Sequence, residues 1–203
     1  MVRSLPQPDN RCYIGVGGSG KTTLALAHAA AFDRVIICDP NAERDYGLFG
    51  QVVQDRAALV RAAAAPSFRL TWRFDLGEPE PAYDWATRVA WAAGDCCLIW
   101  DEAENYHEGG RILPWGRRAW NQGRHRRLHV FALTRSCFAI DRTLTRNVTR
   151  ACIFATQEPR DLAWLDGFLR SSDALDAIAT LPKYHAYDWR QGRGGCVKLS
   201  TFA

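Results

Sequence analysis

The residues most clearly suited to chemistry form a glycine-rich segment near the amino terminus. Its sequence from residue 15 to residue 23 is GVGGSGKTT, which matches the spacing G-x-x-x-x-G-K-[ST] of a phosphate-binding loop, or P-loop. Glycine suits such a loop because it lacks a Cβ and accepts unusual dihedrals, so that successive backbone N–H groups can curl around phosphates. The predicted nucleotide-binding residues are Gly15, Val16, Gly17, Gly18, Ser19, Gly20, Lys21, Thr22 and Thr23. In this arrangement Lys21 reaches the β- and γ-phosphates, and the Thr22 hydroxyl is a ligand of Mg²⁺.

A pair of carboxylates follows an apolar run later in the chain. Residues 96–100 are CCLIW, the pattern of a buried parallel strand, and Asp101 and Glu102 come directly after it. With a P-loop upstream, Asp101 is expected to hold the Mg²⁺ shell. Glu102 is expected to orient and polarise the water that attacks the γ-phosphate, and Glu104 is a second-ranked candidate for that role. The pair favours attack by water over transfer to an alcohol or an amine.

The elements around these residues predict an α/β fold. Residues 11–16 read as a strand before the P-loop, and residues 22–32 as a helix whose positive end points at the phosphates. Residues 128–133 read as another strand, ending at Thr134 and Arg135. A polar residue at the tip of this neighbouring strand is well placed to sense the γ-phosphate, so Thr134 and Arg135 are the predicted sensor residues.

Three further segments have patterns that predict secondary structure. Residues 51–65 look like one amphipathic helix, and residues 150–155 like a further strand. Residues 184–189 and 196–201 flank a glycine-rich turn at 191–195 and predict a β-hairpin.

Length and composition predict a single cytosolic domain. The chain has 203 residues, of which 47% are apolar and 24% charged. This suits one α/β domain across residues 1–203, with an amino-terminal tail at 1–10 and the hairpin at 183–203. No apolar run is long enough for a membrane span, and the amino terminus lacks a signal core. The seven cysteines fall mostly in strand-like runs and are expected to be buried free thiols.

Basic charge is concentrated in one part of the chain. Residues 111–150 hold ten arginines and one acidic residue, a net charge of +9, whereas the whole chain carries only +4 and the remainder therefore −5. This distribution predicts either a polyanion partner or arginines that face a neighbouring subunit's nucleotide. The alternative is a solvated arginine-rich face, since the chain uses 23 arginines and only 3 lysines.

The order of these motifs resembles a known family. After the Asp-Glu strand come the segment 123–128 (GRHRRL), a strand that ends in Thr-Arg, a further strand and the segment 158–162 (EPRDL). Together with the P-loop, this resembles the FtsK–HerA superfamily of ring-forming, DNA-pumping ATPases. The small size is most similar to the genome-packaging ATPases of tailless icosahedral viruses with an internal membrane. The resemblance spans roughly residues 11–165, and only the P-loop is highly specific.

The resemblance implies a fold, cofactors and partners. The fold would be a RecA-like (ASCE) three-layer P-loop NTPase sandwich with a mainly parallel sheet. The cofactors would be ATP and Mg²⁺, and the partners double-stranded DNA of any sequence, copies of the same chain in a ring of five or six, and capsid-vertex or packaging proteins. The protein would be found in the host cytoplasm or carried with the virion.

Two residues of the family pattern are of particular interest. By position, Arg124 matches the arginine that reaches the γ-phosphate of the neighbouring subunit, and Arg126 and Arg127 are rivals on the same loop. Arg135 stands where many relatives have glutamine.

Two other functions fit the same core. A small-molecule P-loop kinase has a similar length, although the sequence has no second-substrate signature, and ATP hydrolysis without an acceptor separates the two. An assembly or extrusion NTPase of the filamentous-phage type shares the core, but those proteins carry a membrane anchor.

Overall fold

The computed structural model describes residues 8–74, 77, 79–108, 111–190 and 193–198, without the side chains of residues 79, 80, 107 and 108. The strands in chain order are β1 (Asn10–Ile14), β2 (Arg34–Asp39), β3 (Gln51–Val53), β4 (Phe68–Arg73), β5 (Cys97–Trp100), β6 (His107–Glu108), β7 (Arg111–Ile112), β8 (His129–Thr134), β9 (Arg150–Phe154), β10 (His185–Arg190) and β11 (Arg193–Lys198). The helices are α1 (Lys21–Ala29), α2 (Arg44–Phe49), α3 (Arg56–Ala62), α4 (Pro79–Ala93), α5 (Pro114–Gln122), α6 (Arg142–Arg146), α7 (Pro159–Leu169) and α8 (Ser172–Ala179). Short 3-10 turns cover Ala103–Asn105 and Gly123–Arg126.

One large sheet organises the described chain. Its strand order is β11-β10-β9-β1-β8-β5-β2-β4-β3, and the strands from β9 to β3 all run parallel. The final two strands form an antiparallel hairpin that joins the sheet through β10 and β9. The predicted fold, a mainly parallel sheet with a carboxy-terminal hairpin, is confirmed.

Helices cover both faces of this sheet and create two apolar cores. Along β5, Cys97 and Ile99 face one core, and Leu98 and Trp100 face the other. Helices α1 and α2 contribute buried side chains to the first core, and α3 to α8 contribute to the second. Because neither face is solvated, the central strands are mostly apolar instead of alternating, and β5 is apolar along its whole length.

The strand order decides where the functional segments meet. Strand β8 lies between β1, which leads into the P-loop, and β5, which leads into Asp101 and Glu102. These three strands are parallel, so their carboxyl ends lie along the same edge of the sheet. Ligands of open α/β sheets bind in the crevice outside such an edge.

The segment predicted as one helix over residues 51–65 is two elements, so that prediction is wrong in part. Residues 51–53 form β3, which pairs in parallel with β4 at the sheet edge, and the helix begins only at Arg56. Val52 and Val53 are β-branched and favour a strand. The Asp55 carboxylate then accepts a hydrogen bond from the Ala58 N–H at 2.8 Å, which fixes the amino-terminal cap of α3.

The turn of the hairpin is shorter than predicted. Strand β11 begins at Arg193 instead of residue 196, so part of the expected turn is paired strand. A Cβ at Gly194 would lie 2.2 Å from the Tyr187 ring, so any larger residue there would require that ring to move. Residues 191–192 of the predicted turn, residues 199–203 and residues 1–7 of the predicted tail lie outside the described residues.

The cysteines and the helices can be compared with what the composition predicts. Six of the seven cysteines are buried free thiols, as expected, while Cys196 is exposed. Among the described residues, no helix combines the length and the apolar character that crossing a membrane requires.

Candidate functional site

Glycines give the P-loop its shape. A Cβ at Gly15 would lie 2.6 Å from the Cβ of Phe154, so the close approach of the loop to β9 excludes any side chain there. Gly18 and Gly20 have φ angles of 72° and 105°, in the left-handed region that favours glycine. The loop is anchored to the sheet by the Gly15 N–H, which donates to the Thr134 carbonyl at 3.1 Å.

Helix α1 begins directly after this loop and presents its amino terminus to the same space. Within the described chain, no side chain caps the helix at Gly20, and its first turn holds no acidic residue. The first N–H groups of a helix have no intrahelical partner and attract anions. Val16, Gly17 and Gly18 are exposed, so the loop is open to a ligand from solvent.

Lys21 lies across the mouth of the loop. Its Nζ donates to the carbonyls of Gly15 at 2.5 Å and Val16 at 3.1 Å. Burial lowers the pKa of Lys21, and the carboxylates of Asp101 and Glu104 oppose that shift. Arg135 and Glu102 also act on this amine. The predicted P-loop lysine, the two predicted carboxylates and the predicted sensor arginine are therefore brought together at one edge of the sheet.

Asp101 is buried at the end of β5. Burial, and then the neighbouring charge of Glu102, raise the pKa of Asp101 to about 7. Its backbone carbonyl accepts a short hydrogen bond from the Tyr83 hydroxyl, and its N–H donates to the Cys38 carbonyl at 3.3 Å. Lys21 favours the charged form of this carboxylate, and a bound cation would favour it further.

The residues beside Asp101 suit Mg²⁺. The Tyr46 hydroxyl interacts with the side chains of both Thr22 and Asp101, so the two predicted metal ligands lie near the same group. All three groups offer oxygen atoms only, and Mg²⁺ prefers oxygen ligands. The Tyr46 hydroxyl is buried and forms no hydrogen bond of ordinary geometry with a described residue, so it can still donate to a further polar group. The donor set therefore fits Mg²⁺.

Glu102 has an uncommon backbone conformation, and its side chain is paired with Arg135. Its φ and ψ angles are 49° and 50°, a left-handed conformation that is uncommon outside glycine and is found at functional sites. Its Oε1 atom accepts hydrogen bonds from both Nε of Arg135, at 2.9 Å, and Nη2 of the same guanidinium. The Arg135 backbone N–H donates to Glu104 Oε1 at 3.1 Å. The segment after β8 thus holds both glutamates that follow β5.

The two predicted sensor residues are placed differently. Arg135 is exposed and reaches into the site as described above. Thr134 is buried, and its hydroxyl donates to the Ser136 carbonyl at 2.9 Å within the turn. The Thr134 side chain therefore shapes the turn that presents Arg135.

Arg124 lies far from this edge. It belongs to the 3-10 turn Gly123–Arg126, before the amino end of β8, and is exposed. Its guanidinium forms no hydrogen bond or ion pair with a described residue, whereas its two rivals are occupied. Arg126 donates to the carbonyls of Trp91 and Ala92 at the end of α4, and Arg127 pairs with Asp95 at 3.3 Å.

Sequence reasoning missed the two tyrosines of the site, Tyr46 and Tyr83. The Tyr83 hydroxyl donates to the backbone carbonyls of Asp101 and Glu102 and so orients this segment. Neither tyrosine has a motif at a fixed spacing from the P-loop. A buried tyrosine in an otherwise polar region is the only signal that could have pointed to them.

Comparison with known proteins gives matches of fold but none of sequence. No protein-family model matches the chain, and no curated protein matches it either. The structure resembles the genome packaging NTPase B204 from Sulfolobus turreted icosahedral virus 2 in complex with AMPPCP, at a TM-score of 0.80 and 21% identity over 95% of this chain and 98% of that one. It also resembles B204, the DNA-packaging ATPase from Sulfolobus turreted icosahedral virus, at 0.73 and 22% identity over 95% and 98% of the two chains.

A third similar structure comes from a different organism. VirB4 of Thermoanaerobacter pseudethanolicus matches at a TM-score of 0.66 and 13% identity, over 93% of this chain and 88% of that chain. At these identities the likeness is one of fold. The resemblance to packaging ATPases that the sequence motifs indicate is confirmed at that level.

Proposed function

We propose that this protein is an ATPase that binds ATP with Mg²⁺ and transfers the γ-phosphate to water. The observation that carries the proposal is the convergence of the P-loop, Lys21, Asp101, Glu102 and Arg135 at the carboxyl edge of three parallel strands. The similar structures support it, since the B204 structures are described as NTPases and one is in complex with AMPPCP.

Each residue has a distinct task in this proposal. Backbone N–H groups of the P-loop and the amino terminus of α1 bind the phosphates, and Lys21 leaves its two carbonyl partners to contact the β- and γ-phosphates. Thr22 and Asp101 hold Mg²⁺, which when bound neutralises charge that develops on the phosphates. Glu102 accepts a proton from, and orients, the attacking water. Glu102 is engaged by Arg135 in this structure, so that contact must loosen before Glu102 can reach a water.

The experiment that tests the ATPase activity compares two variants. Lys21→Ala should abolish nucleotide binding or turnover, because Lys21 neutralises phosphate charge already in the ground state. Glu102→Gln should bind ATP normally and lose at least about 100-fold in hydrolysis, because Glu102 acts on the water. Phosphate release without any acceptor would be measured beside retention of labelled ATP.

Two results would contradict the assignment. Phosphate release only in the presence of an alcohol or amine acceptor would favour a small-molecule kinase. Near-normal turnover in Glu102→Gln would transfer the catalytic role to Glu104 or another residue.

We further propose that hydrolysis is coupled to the movement of double-stranded DNA into a capsid. The packaging roles named for both B204 proteins support this, as does the basic segment 111–150. Within that segment, six arginines already have partners in the described chain and are less suited to DNA. They are Arg117, Arg118, Arg126, Arg127, Arg135 and Arg150.

Three of the four remaining arginines mark a surface for DNA, and the fourth is Arg124. Arg142 and Arg146 are four residues apart, and therefore lie on the same side of α6. Asp141 links α6 to the β6–β7 hairpin, because its Oδ2 accepts the Ile112 N–H at 2.8 Å, and this brings Arg111 nearby. We refer to Arg111, Arg142 and Arg146 as the α6 surface. Three exposed arginines with no side-chain partner in the described residues suit the phosphates of a duplex of any sequence.

The active assembly in this proposal is a ring of five or six copies in which residues 1–203 act as one ATPase domain. Arg124 extends from the amino edge of one subunit towards the nucleotide of the next. Capsid-vertex or packaging proteins are the further partners, and the ring works in the host cytoplasm or on the virion.

A further inference from the structure

Tyr46 is a buried residue that the sequence motifs do not explain. It lies in α2, and its side chain has no solvent exposure. Its hydroxyl lies close to the side chains of Thr22 and Asp101 but forms no hydrogen bond of ordinary geometry with a described residue. Burial of a hydroxyl without a partner is unfavourable, and such groups in folded proteins usually point to a ligand, water or ion.

The backbone of Tyr46 is held firmly in place. Its carbonyl accepts a hydrogen bond from the buried Thr71 hydroxyl of β4 at 2.8 Å. The amino end of α2 is fixed as well, because Arg73 donates to the Glu43 carbonyl at 2.8 Å and to Asp39 at 2.8 Å. The unpartnered hydroxyl is thus presented by a rigid element and is not the end of a mobile side chain.

The groups around the hydroxyl are those assigned to the metal. Thr22 of α1 and Asp101 after β5 both interact with it, and the nearby charge of Asp39 is already paired with Arg73. A tyrosine phenol has an ordinary pKa of about 10, so the Tyr46 hydroxyl is protonated at neutral pH and is a hydrogen-bond donor. Mg²⁺ retains several water ligands in proteins. The Tyr46 hydroxyl, near Thr22 and Asp101, could donate a hydrogen bond to one of them.

We propose that Tyr46 is a positioning residue for Mg²⁺, and that its hydroxyl hydrogen-bonds a water of the metal's shell between Thr22 and Asp101. The inference rests on the proposed ATPase function and adds a residue to its metal site. Outer groups of this kind orient the ligands and commonly change metal affinity by about 10- to 100-fold when removed. Tyr46 would also link the bound metal to α2, the helix that Thr71 and Arg73 hold against β4.

The test removes only the hydroxyl. Tyr46→Phe keeps the ring, and Tyr106→Phe is the matched control, since Tyr106 is equally buried but its hydroxyl donates to Asp84 at 2.8 Å. The affinity for a fluorescent ATP analogue would be measured with Mg²⁺ and with EDTA. We expect Tyr46→Phe to lose about tenfold in affinity with Mg²⁺ and nothing with EDTA. The affinity for Mn²⁺ at saturating nucleotide, followed by electron paramagnetic resonance, should fall by a similar factor.

The outcomes separate the two proposals. An equal loss with and without metal would show that Tyr46 acts through packing, and no loss in either condition would show that the hydroxyl does not meet the metal; both results overturn the inference while the ATPase proposal stands. If the unaltered protein binds no nucleotide, the proposed function fails and this inference fails with it. A loss in Tyr106→Phe of the same size and metal dependence would also overturn it.

Discussion

Arg135 and Glu102 form an ion pair across the candidate site, from the tip of β8 to the residue after Asp101. Both hydrogen bonds of the guanidinium go to one oxygen of the carboxylate, and the pair raises the pKa of Arg135. The Arg135 side chain is 59% exposed, whereas that of Glu102 is 16% exposed, so the arginine is the partner that can move. In the proposed reaction the γ-phosphate competes with Glu102 for this guanidinium.

We predict that Arg135→Gln weakens ATP binding more than ADP binding. The γ-phosphate is the only added group in ATP, and a charge-assisted hydrogen bond to it is worth about 1.5–3 kcal/mol before solvent screening. We expect a loss of roughly tenfold for ATP and less than twofold for ADP, measured by competition with a fluorescent nucleotide.

The control for this prediction is Arg127→Gln, which removes an exposed arginine paired with Asp95 at the opposite edge of the sheet. It should change neither affinity. Equal losses of ATP and ADP affinity in Arg135→Gln would mean that Arg135 contributes general positive charge and does not sense the γ-phosphate.

The sequence predicted the parts of the site that have fixed spacings. The P-loop and the Asp-Glu pair lie at the ends of apolar strands, and parallel pairing brings such strand ends together without further information. The ion pair of Arg135 with Glu102 joins residues 33 positions apart, and Glu102 has a left-handed backbone; no local pattern encodes either feature. Tyr46 likewise meets Thr22 and Asp101 only through tertiary packing.

The errors in the fold have a related cause. The pattern of residues 51–65 suits an amphipathic helix, but β3 finds a partner in β4 that is distant in sequence and invisible to periodicity. The choice between Arg124, Arg126 and Arg127 also needed the structure. All three are exposed arginines on one loop, and only the contacts with α4 and Asp95 separate them.

A second prediction concerns stability in acid. Burial, and then the charges of Arg150 and Arg11, lower the pKa of His28 from 6.5 to about 3. The folded protein therefore keeps His28 neutral, while the unfolded chain binds a proton below about pH 6.5. Stability from this residue is complete above the unfolded pKa and falls as the pH drops through the interval down to the folded pKa.

The measurement is the urea midpoint of the unaltered protein and of His28→Gln at pH 7.5 and pH 5. Between pH 7.5 and pH 5, the free energy of unfolding of the unaltered protein should fall by roughly 2 kcal/mol more than that of the variant. Partial solvent exposure of the ring makes this figure an upper value. Identical losses in both proteins would show that His28 is protonated in the folded state.

A third prediction concerns DNA at the α6 surface. If Arg142 and Arg146 contact phosphates, binding should be independent of sequence and steeply dependent on salt, because released counterions supply the affinity. The double variant Arg142→Gln/Arg146→Gln should lower affinity uniformly for unrelated duplexes and reduce the slope of log K against log salt by about 2. Affinity would be measured over a salt series under conditions that favour assembly.

The matched control is Arg117→Gln/Arg118→Gln, which also removes two charges from exposed positions. Arg118 stacks on Trp91 and Trp115, and Arg117 contacts the Ile112 carbonyl, so these two should affect the slope little. Equal changes in both double variants would indicate that DNA responds to net charge and not to the α6 surface. A strong preference for one duplex sequence would contradict a motor that moves along any genome.

The last prediction is that Arg124 acts on the nucleotide of the neighbouring subunit. An arginine that meets the charge on the γ-phosphate accelerates related reactions by about 10³-fold or more. Within a subunit, Arg124 lies before β8 and the P-loop lies beyond its far end, so Arg124 cannot serve its own site without crossing the sheet. It is also the one arginine of segment 123–127 whose guanidinium has no partner among the described residues. Arg124→Ala should therefore bind ATP normally and lose most of its hydrolysis.

Mixing two inactive variants tests the direction of this contact. Arg124→Ala subunits keep Glu102, and Glu102→Gln subunits keep Arg124, so a mixed ring contains interfaces at which both residues are intact. Phosphate release should reappear in mixtures and reach its maximum near equal proportions, because such interfaces are then most frequent. Arg126→Ala mixed with Glu102→Gln is the control. The Arg126 guanidinium donates to the carbonyls of Trp91 and Ala92 at the carboxyl end of α4 and is not available to a neighbouring nucleotide. Arg126→Ala should therefore leave hydrolysis largely intact before any mixing. If mixed rings demonstrably form and no proportion of Arg124→Ala and Glu102→Gln restores hydrolysis, Arg124 does not act across the interface.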